Sequence, residues 1–331
     1  MTGDISGKRV LFVTTKNLDY IRNAQELSLI RKMAVCCDVI GSYNSHYPLR
    51  ILIVIWGLIT RSAGRYDTVF IGFAPQLVLP LFRKKFLRQR VLIDFFISLF
   101  DTFCLDRKLF KPAGIVGRFL HRLDRVTLSL ADLVICDTLA HGRFFTEEFH
   151  VAPSRLHPLY LEADRRVYHP VSVQRPEHLK DKRIVLYFGS ILPLQGADVV
   201  LKAISLVLKN QSGRKNIFFY FIGPIKGKAL RSLCPHSALV QYIPWLSQKE
   251  LARLIASSDL CLAGHFSKTI AKASRTIPGK AFIYQAMEKP MILGDNPANH
   301  ELFVSDRDTV FVEMGNSSAL ADAILTFFEY D

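Results

Sequence analysis

Arg275-Thr276-Ile277-Pro278-Gly279-Lys280-Ala281-Phe282-Ile283-Tyr284-Gln285-Ala286-Met287-Glu288-Lys289-Pro290-Met291-Ile292-Leu293-Gly294-Asp295 decides how the rest of the chain is read. Ile277 to Lys280 forms a loop running into a helix. Pro278 stands near the first turn, where its missing N–H is not needed, and apolar Ala281, Phe282, Ala286 and Met287 follow. Lys289-Pro290 ends the helix, and Met291-Ile292-Leu293 is a short buried strand leading to a turn at Gly294-Asp295. A helix start offers unpaired backbone N–H groups and the positive end of the helix dipole. With Lys272, Arg275 and Lys280 around it, this start suits an anion, a diphosphate above others.

Outward from this stretch, strands and helices alternate in both directions. In the second half Arg183 to Gly189 is a strand, followed by a turn from Ser190 to Gly196 and a helix from Ala197 to Lys209. Strands follow at Ile217 to Gly223 and Asp259 to Gly264, the latter ending in a polar loop from His265 to Lys272; Ser247 caps a helix from Gln248 to Ser257. Thr309 to Val312 and a helix over Ser318 to Phe328 close the chain. The first half places strands at Lys8 to Thr15, Val35 to Ile40, Tyr66 to Gly72, Arg90 to Asp94 and Ala131 to Cys136. Helices fall over Arg22 to Lys32, over Pro75 to Leu87 and around Arg118, His121, Arg122 and Arg125. This is the pattern of a doubly wound α/β sheet, written twice. The polar segment from Val171 to Lys182 reads as a linker between domains spanning 1–170 and 183–331.

Ligands of such sheets bind beyond the carboxyl ends of the strands, where Asp94, Ser98 and Asp101 fall. Asp94 closes an apolar strand and reads either as a site residue or as a helix cap or turn former. Asp137 and Thr138 likewise end a strand, as site residues or caps, and His141 is either a cleft residue or a surface histidine.

The opening stretch resembles the donor-binding segment of GT-B glycosyltransferases, in particular glycosyltransferase family 4 (group 1). A subgroup of that family writes the lead-in as Lys-x-x-Arg-x-Ile-Pro-x-Lys, which Lys272, Arg275, Ile277, Pro278 and Lys280 match in order. Ala131 to Thr138 resembles the family's Ala-Asp-x-Val-Ile-x-x-Ser, and Ile217 to Gly223 its Phe-x-Ile-x-Gly-x-Gly. The resemblance implies an α/β GT-B fold, two doubly wound Rossmann-like domains with a cleft between them. It implies transfer of a sugar, with retention, from a nucleoside diphosphate sugar to a glycan or lipid-linked acceptor, with no cofactor and no obligatory metal. Its catalytic candidates are Asp94, Lys280 and Arg275. Its donor-binding candidates are Gly189, Ser190, Gln195, Gly196, Trp245, His265, Lys268, Lys272, Pro278 and Gly279, and on the acceptor side stand Ser98, Asp101, Asp137 and His141. The chain departs from the family where two carboxylates usually hold the donor, since Arg275 and Ile283 occupy those positions. Ser190 and Gln195 replace the usual Arg and Lys of the first glycine-rich turn. A second reading therefore stands beside the first: a GT-B protein without turnover that binds a partner or a glycan.

A net charge of +14 over 331 residues points to polyanionic company, and the excess lies mainly in residues 1–170. No nucleic-acid-reading motif is present, which leaves phosphorylated substrates and anionic membrane. The uncharged, almost wholly apolar run from Ile51 to Thr60, flanked by Arg50 and Arg61, is too short to span a bilayer. It reads either as a helix buried between sheet and solvent or as one lying in a membrane interface with Trp56 at headgroup depth. The basic cluster Arg83, Lys84, Lys85, Arg88 and Arg90 favours the interface. The polar start lacks a secretory pattern, so the expected location is cytoplasmic, peripheral on the inner membrane face. Six scattered cysteines read as buried free thiols.

Overall fold

The computed structural model describes residues 1–210 and 216–329. The chain divides into two units, Met1–Leu161 and Glu162–Asp331, each built on its own parallel sheet. The segment 171–182 belongs to the second unit by contact. Leu179 is buried there, and Arg175 donates to Asp259 and to the carbonyl of Lys182.

The first unit holds β1 (Arg9–Asn17), β2 (Cys36–Ser42), β3 (Thr68–Ile71), β4 (Arg90–Asp94), β5 (Leu133–Cys136) and β6 (Leu156–Pro158). They lie in the order β2-β1-β3-β4-β5-β6. The order reverses between β1 and β3, so the carboxyl ends of those strands open the crevice that such sheets use for ligands. Helices Tyr47–Thr60, Leu79–Phe82, Ile115–Leu130 and Leu139–Phe149 pack on one face of this sheet, and helix Ile21–Met33 packs on the other.

The second unit holds β7 (Arg183–Phe188), β8 (Ile217–Ile222), β9 (Val240–Ile243), β10 (Leu260–Gly264), β11 (Met291–Gly294) and β12 (Thr309–Val312). From one edge their order is β9-β8-β7-β10-β11-β12, the Rossmann order, reversing between β7 and β10. Runs such as Ile217-Phe-Phe-Tyr-Phe-Ile222 are apolar on both sides because helices cover both faces of a parallel sheet, and all six residues are buried.

Local expectations fare as follows. Ser247 caps helix Gln248–Ser257 through a reciprocal box with Glu250, and Thr138 caps helix Leu139–Phe149. The continuous helix expected over Pro75 to Leu87 is instead three short turns, Pro75–Leu77, Leu79–Phe82 and Arg83–Phe86. Pro80 lacks the N–H that would bond back across the previous turn, so a single helix cannot run through it. The thiols are all free, yet only Cys104, Cys136 and Cys261 are buried; Cys36 is exposed on an edge strand. Among the described residues no helix is long and apolar enough to cross a membrane.

Candidate functional site

In the second unit the loops after β7 and β10 and the start of helix Gly279–Ala286 meet at the reversal point of the sheet. Gln195 is their junction. Its Oε1 accepts from the Tyr187 hydroxyl at 3.1 Å and from the Lys280 ammonium at 3.3 Å, and its carbonyl accepts from the N–H of Phe266. Gly189 is fixed by that amide, since a Cβ at this position would stand 2.2 Å from Gln195 Oε1. Gly196 is required twice over. It turns the chain with φ +65°, and a Cβ there would meet the Phe266 backbone at 2.7 Å.

Lys280 lies in the first helical turn, 6% exposed, with its Nζ 4.3 Å from the centroid of the Tyr187 ring. Burial pulls its pKa down to about 7. No carboxylate faces it among the described ion pairs; an amide oxygen and an aromatic face are its neighbours. His265 follows β10 through a cis peptide bond and is buried. Burial, then the charges of Lys280 and Lys272, push its pKa down to about 3, so the imidazole is neutral, with Nδ1 3.5 Å from Thr276 Oγ1. The arrangement is cationic, desolvated and set at a helix start, which is the chemistry of an anion site.

The structure thus brings together Gly189, Gln195, Gly196, His265 and Lys280, with Lys272 close enough to act on His265. Pro278 caps the helix and Gly279 begins it. Lys268 points elsewhere, pairing at 3.2 Å with Glu313 just beyond β12, and Trp245 stands exposed after β9. Ser190 is exposed on the turn after β7, and Arg275 follows the short helix Ala271–Ser274. Tyr187 was not legible in advance, because a tyrosine inside an apolar strand reads as core.

In the first unit Asp94 ends β4 with both carboxylate oxygens on Arg22, at 2.8 and 3.1 Å. Arg22 also reaches Glu26 at 3.6 Å, Asp137 at 3.8 Å and the carbonyl of Leu159. Asp137 continues to His141 Nδ1 at 3.7 Å, and that imidazole is fully buried against Phe145. His141 is therefore a core residue of its unit, not a surface one. Glu26 is buried beside Gly72, and desolvation, then the Asp94 charge, hold its carboxyl well above the usual range. Half-buried Tyr20, Phe73 and Phe96 stack above this cluster, with Lys16 over Tyr20 and Phe73. Ser98 belongs to a different network: its hydroxyl donates to Asp124 at 2.7 Å, and it accepts from the N–H of Asp101. Gln76 and the N–H groups of Phe100 and Leu99 also donate to Asp124. Arg22, Glu26 and Asp124 escaped sequence reading because charges at helical spacing look like a solvated face.

Two parallel six-stranded Rossmann-like sheets, each with a reversal point, define the GT-B class of glycosyltransferase folds. Residues 182–329, which lie in the second unit, match the family described as glycosyl transferases group 1. A probable glycosyltransferase of Pseudomonas aeruginosa, WbjE, is 26% identical over 251 residues, covering 71% of this chain and 58% of that relative. The match thus spans little more than half of the relative's length. Among solved structures, Anabaena HepE in complex with UDP-glucose superposes with a TM-score of 0.62 at 14% identity, covering 98% of this chain and 90% of that one. Sucrose-phosphate synthase from Thermosynechococcus elongatus superposes with a TM-score of 0.68 at 12% identity, covering 97% and 90%. At these identities the likeness to solved structures is one of fold.

Proposed function

We propose that this chain is a glycosyltransferase of family 4 type. Its second unit binds a nucleoside diphosphate sugar at the carboxyl ends of β7 and β10, and its first unit receives a glycan or lipid-linked acceptor. The observation that carries this reading is Lys280, a cation buried at a helix start with an amide and a ring beside it and no counter-ion among the described residues. A diphosphate supplies the missing charge.

Chemistry in this reading is electrostatic. The sugar's anomeric bond to the diphosphate breaks, the acceptor hydroxyl oxygen takes the anomeric carbon with retention, the hydroxyl's proton passes to the departing diphosphate, and charge gathers on that diphosphate. Lys280, Lys272, Arg275 and the N–H groups of the helix start stabilise it there. Neutral His265 donates or accepts a hydrogen bond to the donor without adding charge, and exposed Trp245 is free to stack on a base. In the first unit Asp94 is a positioning residue that holds Arg22, while Asp137 and the aromatic group of Tyr20, Phe73 and Phe96 form the acceptor side. Ser98 and Asp101 shape the loop beside it. The UDP-glucose held by HepE makes UDP-sugars the first donors to try.

One observation favours the second reading, a donor-binding protein without turnover: Ile283, half-buried and apolar, stands where family 4 places an acid. The test is thermal shift of the full chain against UDP, GDP and their sugar conjugates, with Lys280→Ala and Arg275→Ala beside it. A ligand at 100 times its dissociation constant stabilises by about 2.7 kcal/mol. A shift for one nucleotide, lost in both variants, is the expected result. No shift from the folded chain with any of them would overturn the donor site. A shift without nucleotide release from the sugar conjugate in the presence of acceptor extracts would favour the second reading.

A further inference from the structure

Helix Tyr47–Thr60 is apolar on more sides than its unit can cover. Arg50, Val54 and Leu58 face the sheet at a spacing of four residues. Leu52, Trp56 and Ile59 face outward, and Trp56 is 69% exposed. Of the two readings of this run, burial between sheet and solvent thus holds for one side of the helix only, and the other side is bare.

The bare side does not stand alone. Lys85 donates to the carbonyls of Leu58 and Ile59, tying the basic segment after Leu79–Phe82 to the end of this helix. Leu79–Phe82 in turn packs against helix Ile115–Leu130. Val54, Leu79 and Leu120 share one core cluster, so these elements lie side by side on the same face of the sheet and their outer sides form one surface. Leu81 and Leu87 are exposed on the middle segment, and Ile115 and Phe119 on the last helix. Scattered exposed apolar residues need no explanation, but a run of them across three neighbouring elements does.

Charge identifies what covers it. From Tyr47 to Leu130 the chain has fourteen Lys and Arg against five Asp, a net +9, which equals the whole excess of residues 1–170. Four of those aspartates, Asp94, Asp101, Asp106 and Asp124, are buried, and Asp67 is bound to Arg9; of the cations, Arg61 pairs with Asp38 and Arg90 with Asp4 and Asp132. Lys84, Arg88, Arg118, Arg122 and Arg125 are exposed beside the apolar side chains. Large apolar groups interleaved with these five cations, which no ion pair among the described residues opposes, suit a surface that is apolar in depth and anionic on top.

We propose that this three-element surface of the first unit docks on an anionic lipid bilayer, with Trp56, Leu52 and Phe119 inserted at headgroup depth and the arginines on lipid phosphates. The proposal stands on the first unit alone and does not depend on the donor site. The test uses the full chain and vesicles of phosphatidylcholine alone or with roughly 30 mol% phosphatidylglycerol. In a Trp245→Phe background Trp56 is the sole tryptophan reporter. Sedimentation with the anionic vesicles and a blue shift of Trp56 are expected, with little of either on phosphatidylcholine. Lys84→Glu/Arg88→Glu should lower partitioning at least about thirtyfold, given roughly fivefold per basic residue at a membrane surface. Leu52→Ser/Trp56→Ser/Phe119→Ser should abolish it, and circular dichroism melts report that these exposed positions leave the fold intact. Absence of binding by the folded chain, or binding indifferent to both sets of substitutions, would overturn the proposal. A concentration-dependent dimer that the serine variant dissolves would also overturn it, assigning the surface to a second copy of the chain.

Discussion

Replacing Lys280 by Met is expected to make the protein more stable at acidic pH while removing its affinity for a nucleoside diphosphate sugar. Burial lowers the folded pKa of Lys280 from 10.5 to about 7. Between those values the unfolded chain holds a proton that the folded chain has released, so stability rises with pH across that window. Below about 7 both states are protonated and the folded state carries the buried charge in full. The gap from 10.5 to about 7 corresponds to a penalty on the order of 5 kcal/mol. The Tyr187 face at 4.3 Å returns about 2 kcal/mol, leaving on the order of 3 kcal/mol. Methionine has nearly the same length, fills the space and carries no charge.

Urea denaturation of the two proteins at pH 6 should therefore show the variant ahead by on the order of 3 kcal/mol, with the advantage shrinking as pH rises above 7. Thermal stabilisation by the sugar conjugate should vanish in the same variant. In the wild type, affinity for the conjugate should weaken as pH rises above about 7, because the diphosphate binds the charged lysine. A variant equally destabilised at pH 6 and pH 9 would refute the reasoning. It would mean that the lysine is held by Gln195 and Tyr187 as a structural element and carries no strain.

Arg22→Met should destabilise the first unit by about 3–5 kcal/mol in urea denaturation, because Asp94 is left buried without its counter-ion. Arg22→Lys should recover little of that loss, since an ammonium cannot reproduce the two-point contact. The raised pKa of Glu26 contributes stability that is complete below its unfolded value near 4.5 and is lost as pH rises through the folded one. Glu26→Gln should flatten that decline, read as a smaller difference in unfolding free energy between pH 5 and pH 8.

The sheets were legible because a parallel strand buried on both faces is an unbroken apolar run, as in Ile217–Ile222, and because glycines mark the turns where backbones touch, as at Gly189 and Gly196. The helix start at Pro278 and Gly279 was legible from local chemistry alone. Long-range pairing was not. Lys268 reads as a donor ligand until Glu313, 45 residues away, takes its ammonium. Asp94 reads as a site residue or as a cap or turn former until Arg22, 72 residues away, is placed against it. Nor does a sequence say which side of an apolar helix is left uncovered, which is why the segment around Trp56 admitted two readings.

The departures from family 4 in the second unit bear on binding and on turnover in opposite directions. Ile283 lies three residues beyond Lys280 on one helix, at the spacing where an acid would pair with the lysine and lift its pKa. Arg275 adds a cation where the family has a second acid. In the proposed donor site, apolar Ile283 and cationic Arg275 at these positions leave Lys280 uncompensated among the described residues, which would favour capture of a diphosphate and remove groups that would grip the sugar. A buried, unpaired cation costs stability, and residues of that kind persist where a ligand uses them. Affinity for the diphosphate and power of transfer are thus separate properties of this site. Restoring an acid with Ile283→Glu should raise the Lys280 pKa, stabilise the protein at pH 7 and weaken diphosphate binding, whichever way it moves turnover.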